Sequence, residues 1–237
     1  MNDNNFVSVR IKTLNTQQTI GQVKHDTRQA KIDYIRNDNK NIFLNNDLGY
    51  INDNYYGTIK SIYLDSINRQ KQTYKNTFNQ KSQLQKNSIS GIITFSNTMI
   101  EDYKNNKDTF LKNTKENIKQ ISQLLDVDLI YITIHLDEKT PHIHFLMNNF
   151  DTETGKGKSK ELYQNKQQLQ QLQDLSGEIW KDFGKGYQRG ISKTITTKNH
   201  YSVLEGHKKE IEETIATYQI KLKELKDLRN QLQQIDL

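Results

Sequence analysis

Asp128–Phe150, DLIYITIHLDEKTPHIHFLMNNF, predicts two neighbouring β-strands joined by a tight connection. Asp128–His135 and His142–Phe150 are rich in β-branched and aromatic residues, and polar side chains recur at alternate positions in parts of both. The connection from Asp137 to Pro141 is polar and short enough for a hairpin. We therefore expect an antiparallel pair of strands at the centre of the fold.

Three of the six histidines fall within this hairpin. Alternation along a strand places His142 and His144 on one face, and the turn returns His135 to the same face. Neutral imidazoles are good ligands for a divalent metal, and three of them leave positions open for a substrate oxygen. Glu138, three residues after His135, is expected to orient a ligand or to act as a general base. The hairpin thus predicts a catalytic metal site.

Two other interpretations of these histidines fit less well. A single His-X-His pair would be an ordinary surface feature, but a third histidine on the facing strand and an acidic residue between them favour a metal site. A zinc protease needs His-Glu-X-X-His on one helix, whereas here Glu138 is not adjacent to His135 and Pro141 breaks any helix. The sequence pattern therefore excludes a protease of that class.

The remaining periodicity indicates strands separated by amphipathic helices. In chain order the predicted elements are a strand over Phe6–Leu14, a helix over Gly21–Asn37, a loop-rich region over Asp38–Gly57, a polar helix over Gln70–Gln85, a strand over Ser88–Phe95, a helix with Thr98 and Glu101 at capping-box spacing, and a helix over Leu162–Phe183. This order predicts an α+β fold, an antiparallel β-sheet with helices packed on it.

The last part of the chain predicts one long helix. Its apolar residues follow heptad spacing at Ile211, Ile215, Tyr218, Leu222, Leu225 and Leu232. We therefore expect a catalytic domain over residues 1–200 and a C-terminal amphipathic helix over residues 201–237. Such a helix forms a homodimer, packs on the domain or serves as a linker, and the sequence leaves these alternatives open.

Composition restricts the partners and the location of the chain. Lys and Arg outnumber Asp and Glu by 34 to 28, a net charge of +6, which favours polyanions. The absence of cysteine excludes disulfides and cysteine-based metal sites. Met1–Asn5 does not begin a signal peptide, and no apolar run is long enough to span a membrane. We expect a soluble, cytoplasmic protein.

The hairpin also resembles a known family. His135-Leu-Asp-Glu-Lys-Thr-Pro-His-Ile-His144 matches every fixed position of the HxDExxPHxH motif of the Mob/Pre (MobV-type) plasmid mobilisation relaxases, which are HUH endonucleases. The resemblance implies a two-layer relaxase fold and a Mn²⁺ or Mg²⁺ ion bound by His135, His142 and His144, with Glu138 as the matching acidic residue. It also implies strand-specific nicking of DNA at an origin of transfer, through a covalent protein–5′-phosphate intermediate that is later rejoined.

A second motif of that family is present near the N-terminus as Lys24-His25-Asp26-Thr27-Arg28. The resemblance implies that His25 is the nucleophile and that Arg28 stabilises the phosphate charge. A neutral imidazole nitrogen is a competent nucleophile at about pH 7. The alternative nucleophile is a tyrosine, for which Tyr34 and the tandem pair Tyr55-Tyr56 are the candidates.

The expected DNA contacts are basic side chains. Asn41-Ile42-Phe43-Leu44 resembles a third family element, Asn-Tyr-X-Leu, with Ile42 in place of the usual tyrosine. Gly155–Lys160 follows the metal hairpin in sequence, and its glycines and lysines suit a phosphate-binding loop. The lysines expected to contact DNA are Lys24, Lys81, Lys86, Lys156, Lys158 and Lys160.

The resemblance implies that the partner is plasmid origin-of-transfer DNA, recognised at a hairpin and its adjoining single strand. Two other functions use the same features: a rolling-circle replication initiator of the same superfamily, and a plasmid DNA-binding protein without catalytic activity. Members of the family usually continue beyond this length, so we expect the chain to be the N-terminal part of a longer protein.

Overall fold

The computed structural model describes residues 5–30, 40–158, 166–190, 211–212 and 214–226. The chain divides into two compact units, residues 1–190 and residues 191–237. The expected domain boundary near residue 200 lies outside the described residues and stays a prediction. In the second unit, residues 214–226 form a helix with exposed apolar side chains, as the heptad pattern predicts. No helix within the described part of the chain is long and apolar enough to cross a bilayer.

A six-stranded sheet forms the centre of the first unit in its described residues. The strands are β1 (Phe6–Asn15), β2 (Ile42–Asn45), β3 (Lys86–Phe95), β4 (Leu129–His135), β5 (His142–Asn148) and β6 (Gln188–Arg189). Their spatial order is β2-β4-β5-β3-β1-β6, and every neighbouring pair is antiparallel except β1 with β6. The predicted hairpin is therefore β4 and β5, which lie side by side within this arrangement.

Helices cover both faces of the sheet. They are α1 (Thr16–Asp26), α2 (Tyr55–Phe78), α3 (Met99–Asn105), α4 (Lys107–Leu125) and α5 (Lys166–Trp180). Side chains of α4 and α5, including Ile118 and Trp180, pack with Ile132 and Phe145 in the larger apolar cluster. Tyr131 and Leu146 point to the opposite face and pack with residues of α1 and α2. The predicted α+β class is confirmed, with α1 and α2 as an additional layer on the histidine-bearing face.

The predicted helix over Gly21–Asn37 is wrong at its start. Helix α1 begins directly after β1, because the Asn15 side chain accepts from the Gln18 backbone and the Gln18 side chain accepts from the Asn15 backbone. The helix ends at Asp26, and Arg28 adopts a φ of 59° just beyond it. This early start places the last turn of α1 beside the hairpin.

The other boundary errors have local causes. The predicted loop over Asp38–Gly57 contains β2, and α2 starts at Tyr55 and ends at Phe78, so the prediction of a helix over Gln70–Gln85 is wrong at both ends. The capping box predicted at Thr98 is absent, since its side chain donates to Asn5 and not to the helix. Asn106 separates α3 from α4.

The prediction of a helix over Leu162–Phe183 is wrong at its end. Helix α5 ends at Trp180, ahead of Gly184 and Gly186, which adopt positive φ. The predicted start at Leu162 lies outside the described residues.

Candidate metal centre

The pairing of β4 with β5 brings the three histidines together. His135 lies opposite His142, and Thr133 lies opposite His144. The ring centroids are 5.0 Å apart for His135 and His142, 4.8 Å for His135 and His144, and 5.1 Å for His142 and His144. One ligand atom from each ring lies within 4.8 Å of the others. The predicted convergence is therefore present in the structure.

The hydrogen bonds of His135 and His142 determine which ring nitrogens carry protons. His142 Nδ1 lies 3.0 Å from the Thr140 carbonyl oxygen, and His135 Nε2 lies 3.1 Å from the Asp26 carbonyl oxygen. A carbonyl only accepts, so both of these nitrogens are N–H donors. The remaining nitrogens, His135 Nδ1 and His142 Nε2, face each other at 3.2 Å with their lone pairs. A cation against both of them relieves this repulsion.

His144 fits the same cation site. Its Nε2 is buried and has no hydrogen-bond partner among the described residues. Burial, followed by the neighbouring imidazoles, lowers the pKa of His144 to about 3, against the opposing effect of Asp26. Burial also lowers the pKa of His142. Both rings are thus neutral near pH 7, which is the protonation state that binds metal.

Glu138 approaches the facing nitrogens from the turn. Its Oε1 is 3.5 Å from His135 Nδ1 and 3.7 Å from His142 Nε2, and it accepts from Arg28 at 2.8 Å. Burial alone would raise the pKa of Glu138, but His135, His142 and Arg28 lower it to about 2. An ionised carboxylate therefore lies beside these histidines.

Arg28 ties the end of α1 to the turn between β4 and β5. Its Nε and Nη2 donate to the two carboxylate oxygens of Asp137 at 2.8 and 2.5 Å. Asn41 supports the same turn, because it donates to Asp137 at 3.0 Å and accepts from the Leu136 backbone at 2.8 Å. The Arg28 Nη1 is buried without a hydrogen-bond partner among the described residues. The guanidinium is therefore mainly engaged with carboxylates.

The structure places His25 beside the three hairpin histidines. The residue lies in the last turn of α1, and its ring centroid is 5.8 Å from that of His135 and 5.6 Å from that of His144. Its side chain is 30% exposed, whereas the His135 side chain is fully buried. Of the four imidazoles, His25 is thus the most accessible to a substrate.

Asp26 is a site residue that sequence analysis missed. Its side chain is 1% exposed and contacts His25, His144 and Tyr131. Burial raises its pKa, but His144, the hydrogen bond with His25, His135 and Tyr131 together hold the pKa below the usual value for aspartate. Asp26 follows Thr19 and Val23 on the buried face of α1, so an acidic residue on an inward-facing helical stripe was the available signal.

A cleft of about 280 Å³ adjoins His144 on the same face of the sheet. Ile92 pairs with both Arg10 and His144, so these three residues lie in one row across β1, β3 and β5. Arg10 and Lys12 are exposed and line the cleft, and neither has an ion-pair partner within the described ranges. The pattern of β1 could have identified them, because both face away from Val9.

The predicted DNA-binding lysines occupy several places. Lys24 is exposed on α1, and Lys86 donates to Gln18 at the far end of β3. Lys81 lines a cleft of about 590 Å³ with Lys71 and Lys75. These side chains present positive charge outside the histidine cluster.

The loop that contains Lys156 and Lys158 begins beyond Asn148, at the end of β5 opposite His142. Lys158 is paired with Asp126, and Lys156 lies 4.7 Å from the Phe78 ring centroid. The loop follows the hairpin in sequence, but it leaves β5 at the end opposite to the histidines. Lys160 lies outside the described residues.

The tyrosines considered as alternative nucleophiles lie outside the described residues or in apolar packing. Tyr34 lies outside the described residues, and Tyr55 stacks on Phe43 with ring centroids 4.0 Å apart. Tyr56 packs against the apolar cluster between α2 and the sheet. Both tandem tyrosines therefore take part in apolar packing around α2.

Comparison with solved structures identifies the fold. A crystal structure of the MobM relaxase domain, Mn-bound and in complex with a 22-nucleotide oriT DNA of plasmid pMV158, matches 86% of this chain and 98% of its own with a TM-score of 0.61 at 19% identity. A MobM relaxase domain bound to a 26-nucleotide oriT DNA matches with a TM-score of 0.52 at 18% identity. The chain has the MobM relaxase fold.

Sequence comparison agrees with the fold. The plasmid recombination enzyme type 3 of Staphylococcus aureus is 29% identical over 198 residues, which cover 78% of this chain and 45% of the relative. The type 1 enzyme of the same species is 28% identical over 189 residues. The chain thus spans less than half the length of these relatives. Residues 3–209 match the Mob/Pre family model, described as plasmid recombination enzyme, and the chain belongs to that family.

Proposed function

We propose that this chain is the catalytic part of a plasmid mobilisation relaxase that nicks one DNA strand at an origin of transfer. The observation that carries the proposal is the position of His25, the most exposed imidazole, within 5.8 Å of the buried rings of His135 and His144, measured between centroids. Family membership and the likeness to MobM domains in complex with oriT DNA support the same activity.

His135, His142 and His144 would hold the metal ion. Bound there, Mn²⁺ or Mg²⁺ supplies Lewis acidity, which polarises a non-bridging oxygen of the scissile phosphate. An imidazole ligand set favours Mn²⁺, because Mg²⁺ prefers oxygen ligands. The Mn-bound state of the MobM structures supports that choice. The Glu138 carboxylate faces His135 Nδ1 and His142 Nε2 and is close enough to join the ligands or to act as a general base.

His25 is the proposed nucleophile. Its Nδ1 lies 3.0 Å from an Asp26 carboxylate oxygen, which only accepts, so Nδ1 carries the proton and Nε2 carries the lone pair. The lone pair of Nε2 attacks phosphorus, a nitrogen–phosphorus bond forms, and the bond from phosphorus to the 3′ oxygen breaks. The leaving oxygen takes a proton from solvent water and becomes a 3′ hydroxyl, and the 5′ phosphate stays on His25. Reversal of these steps rejoins the strand.

Arg28 contributes in two ways. It holds the turn through Asp137 and Glu138, and its guanidinium keeps a positive charge near His142. Such a charge stabilises a phosphate whose oxygens become more negative during attack.

The proposed DNA path follows the cleft beside His144. Arg10 and Lys12 contact the phosphates that flank the scissile position, since backbone contacts position a strand without reading its sequence. The lysines predicted from sequence extend this surface toward the hairpin of the origin. Location in the cytoplasm, where plasmid DNA is processed, is part of the same proposal.

Nicking of supercoiled plasmid in the presence of Mn²⁺ tests the activity. We expect relaxation by the wild type and none by His142→Ala. Equal relaxation by both proteins, or relaxation by neither, contradicts the enzymatic proposal and favours a DNA-binding protein without catalytic activity. A rolling-circle initiator would nick a replication origin in preference to an origin of transfer. Nicking is therefore compared between one plasmid that carries only the replication origin and one that carries the origin of transfer.

The nucleophile is identified by trapping the covalent adduct on an oligonucleotide. A phosphoramidate on His25 is labile in acid and stable in alkali, and mass spectrometry of the peptide assigns the modified residue. An acid-stable adduct on Tyr34, Tyr55 or Tyr56 would mean that a tyrosine, and not His25, is the nucleophile. His25→Ala should form no adduct and should still bind Mn²⁺, because His25 is not one of the three proposed ligands.

A further inference from the structure

Asp26 contacts several residues of the site at once. One oxygen, Oδ1, lies 3.0 Å from His25 Nδ1 and 3.6 Å from His144 Nδ1. The other oxygen, Oδ2, accepts from the Tyr131 hydroxyl at 2.7 Å. The Asp26 backbone carbonyl accepts from His135 Nε2. One residue therefore contacts the proposed nucleophile and two of the proposed metal ligands.

The groups around the Asp26 carboxylate are donors. The Tyr131 hydroxyl donates to Oδ2, and the Gln22 side-chain amide donates to Oδ1 at 2.8 Å. His25 Nδ1 is the third, and it can only be a donor if the carboxylate is its partner. An acceptor-only group suits this position, whereas an amide would turn an NH₂ group toward at least one donor.

We infer that Asp26 is a positioning residue whose single buried carboxylate orients both the nucleophile His25 and the metal ligand His144, and so couples phosphate attack to cation binding. The inference rests on the proposed function, because it takes His25 as nucleophile and His144 as ligand. Carboxylates that orient a metal-bound histidine, or the imidazole of a catalytic triad, act in this way in other enzymes.

The consequence at His25 is a fixed tautomer. With Nδ1–H directed at Asp26, the lone pair of the ring is on Nε2, which is the nitrogen assigned to attack. The contact at His144 is electrostatic, since Nδ1 lies 3.6 Å from Asp26 Oδ1, and the buried Nε2 has no hydrogen-bond partner among the described residues. A loss of the carboxylate therefore affects two imidazoles that lie on different elements, α1 and β5.

Asp26→Asn tests the coupling, because asparagine has the same shape and lacks the charge. We expect Mn²⁺ affinity in isothermal titration to fall by about 10- to 100-fold, the range for loss of a partner that orients a metal ligand. We also expect long-range ¹H–¹⁵N spectra of the metal-free protein to show His25 as Nδ1–H in the wild type and a shift toward Nε2–H in Asp26→Asn.

Tyr131→Phe is the matched control. It removes one hydrogen bond to Asp26 and loosens the link between α1 and β4, but leaves the carboxylate and all histidines. If Asp26 only anchors the helix, Tyr131→Phe will reproduce both losses, and the inference is overturned. If it orients the imidazoles, Tyr131→Phe will keep the Mn²⁺ affinity and the His25 tautomer.

Three further results overturn the inference: an unchanged Mn²⁺ affinity in Asp26→Asn, an unchanged His25 tautomer in that variant, or a wild-type His25 that is Nε2–H. The last needs no variant and decides the matter if Asp26→Asn does not fold. All of these readouts are independent of DNA cleavage. A wild type that fails to nick plasmid therefore contradicts the proposed function alone.

Discussion

Backbone carbonyls decide what the histidines of this site can do. Thr140 and Asp26 occupy the outer nitrogens of His142 and His135, so the inner nitrogens keep their lone pairs. Burial, which lowers the pKa of His144 to about 3, removes the proton that would compete with a metal. At the scale of single residues, His142 and His144 are therefore ready to receive a cation near neutral pH without first releasing protons.

Replacement of His142 by alanine should abolish the stabilisation that Mn²⁺ gives to the wild type. A ligand that binds only the folded state adds about 2.7 kcal/mol to the free energy of unfolding when present at about 100 times its Kd. Thermal unfolding with and without Mn²⁺ measures this effect. His207→Ala removes an imidazole outside the hairpin and should keep the full shift. Equal shifts in the wild type and His142→Ala would argue against the metal site.

At the scale of elements, close packing between β3 and β5 holds the hairpin strand β5 in place. Gly91 pairs with Phe145, and a Cβ atom at Gly91 would lie 1.9 Å from the end of the Phe145 ring. No atom lies within 4 Å of the corresponding position at Gly21 in α1. Packing therefore requires a glycine at position 91, whereas the space around Gly21 would admit a side chain.

Alanine substitution separates these two cases. Gly91→Ala should lower the free energy of unfolding by about 2 kcal/mol, because Phe145 has to leave its position above the strand. Gly21→Ala should raise it by about 0.5–1 kcal/mol, since alanine favours a helix interior. Urea unfolding of both variants measures the difference. A neutral Gly91→Ala would mean that the Phe145 ring can move at little cost.

The central hairpin was predictable from sequence because period-two alternation and a short polar turn specify β4 and β5 together. Helix α1 was misplaced because its capping residues, Asn15 and Gln18, continue directly from a strand. Asp26 could not be assigned a role, because its contacts with His144 and Tyr131 join α1 to two strands more than 100 residues later. The proposed metal ligands are local in sequence, whereas the proximity of His25 to them is a tertiary property.

At the scale of the whole molecule, the basic cleft beside His144 should determine part of the DNA affinity. Arg10→Ala and Lys12→Ala should each weaken binding of a single-stranded oligonucleotide. Each should also reduce the dependence of log affinity on log salt by about 0.7 for every phosphate that the protein no longer neutralises. Fluorescence anisotropy at several salt concentrations measures both effects. Lys181→Ala, whose lysine is paired with Glu178, is the control. An unchanged salt slope in Arg10→Ala would mean that the DNA strand does not pass Arg10.

Homodimer formation through the helix over residues 214–226 stays a prediction. Its Ile215, Tyr218, Leu222 and Leu225 are exposed and follow heptad spacing. If they form a coiled coil, Leu222→Glu should shift the protein from dimer to monomer in sedimentation analysis, and Lys221→Glu should not. A monomeric wild type would contradict dimer formation through this helix.

The order of the strands has a consequence for how activity is lost under stress. The proposed cation ligands lie on β4 and β5, which pair with each other inside the sheet, while the proposed nucleophile lies in the last turn of helix α1. The end of a helix opens more readily than paired internal strands, so local fraying reaches His25 before it reaches the hairpin. On gentle heating, cleavage should therefore cease while manganese is still retained, and cooling should restore it without any need to reload the ion.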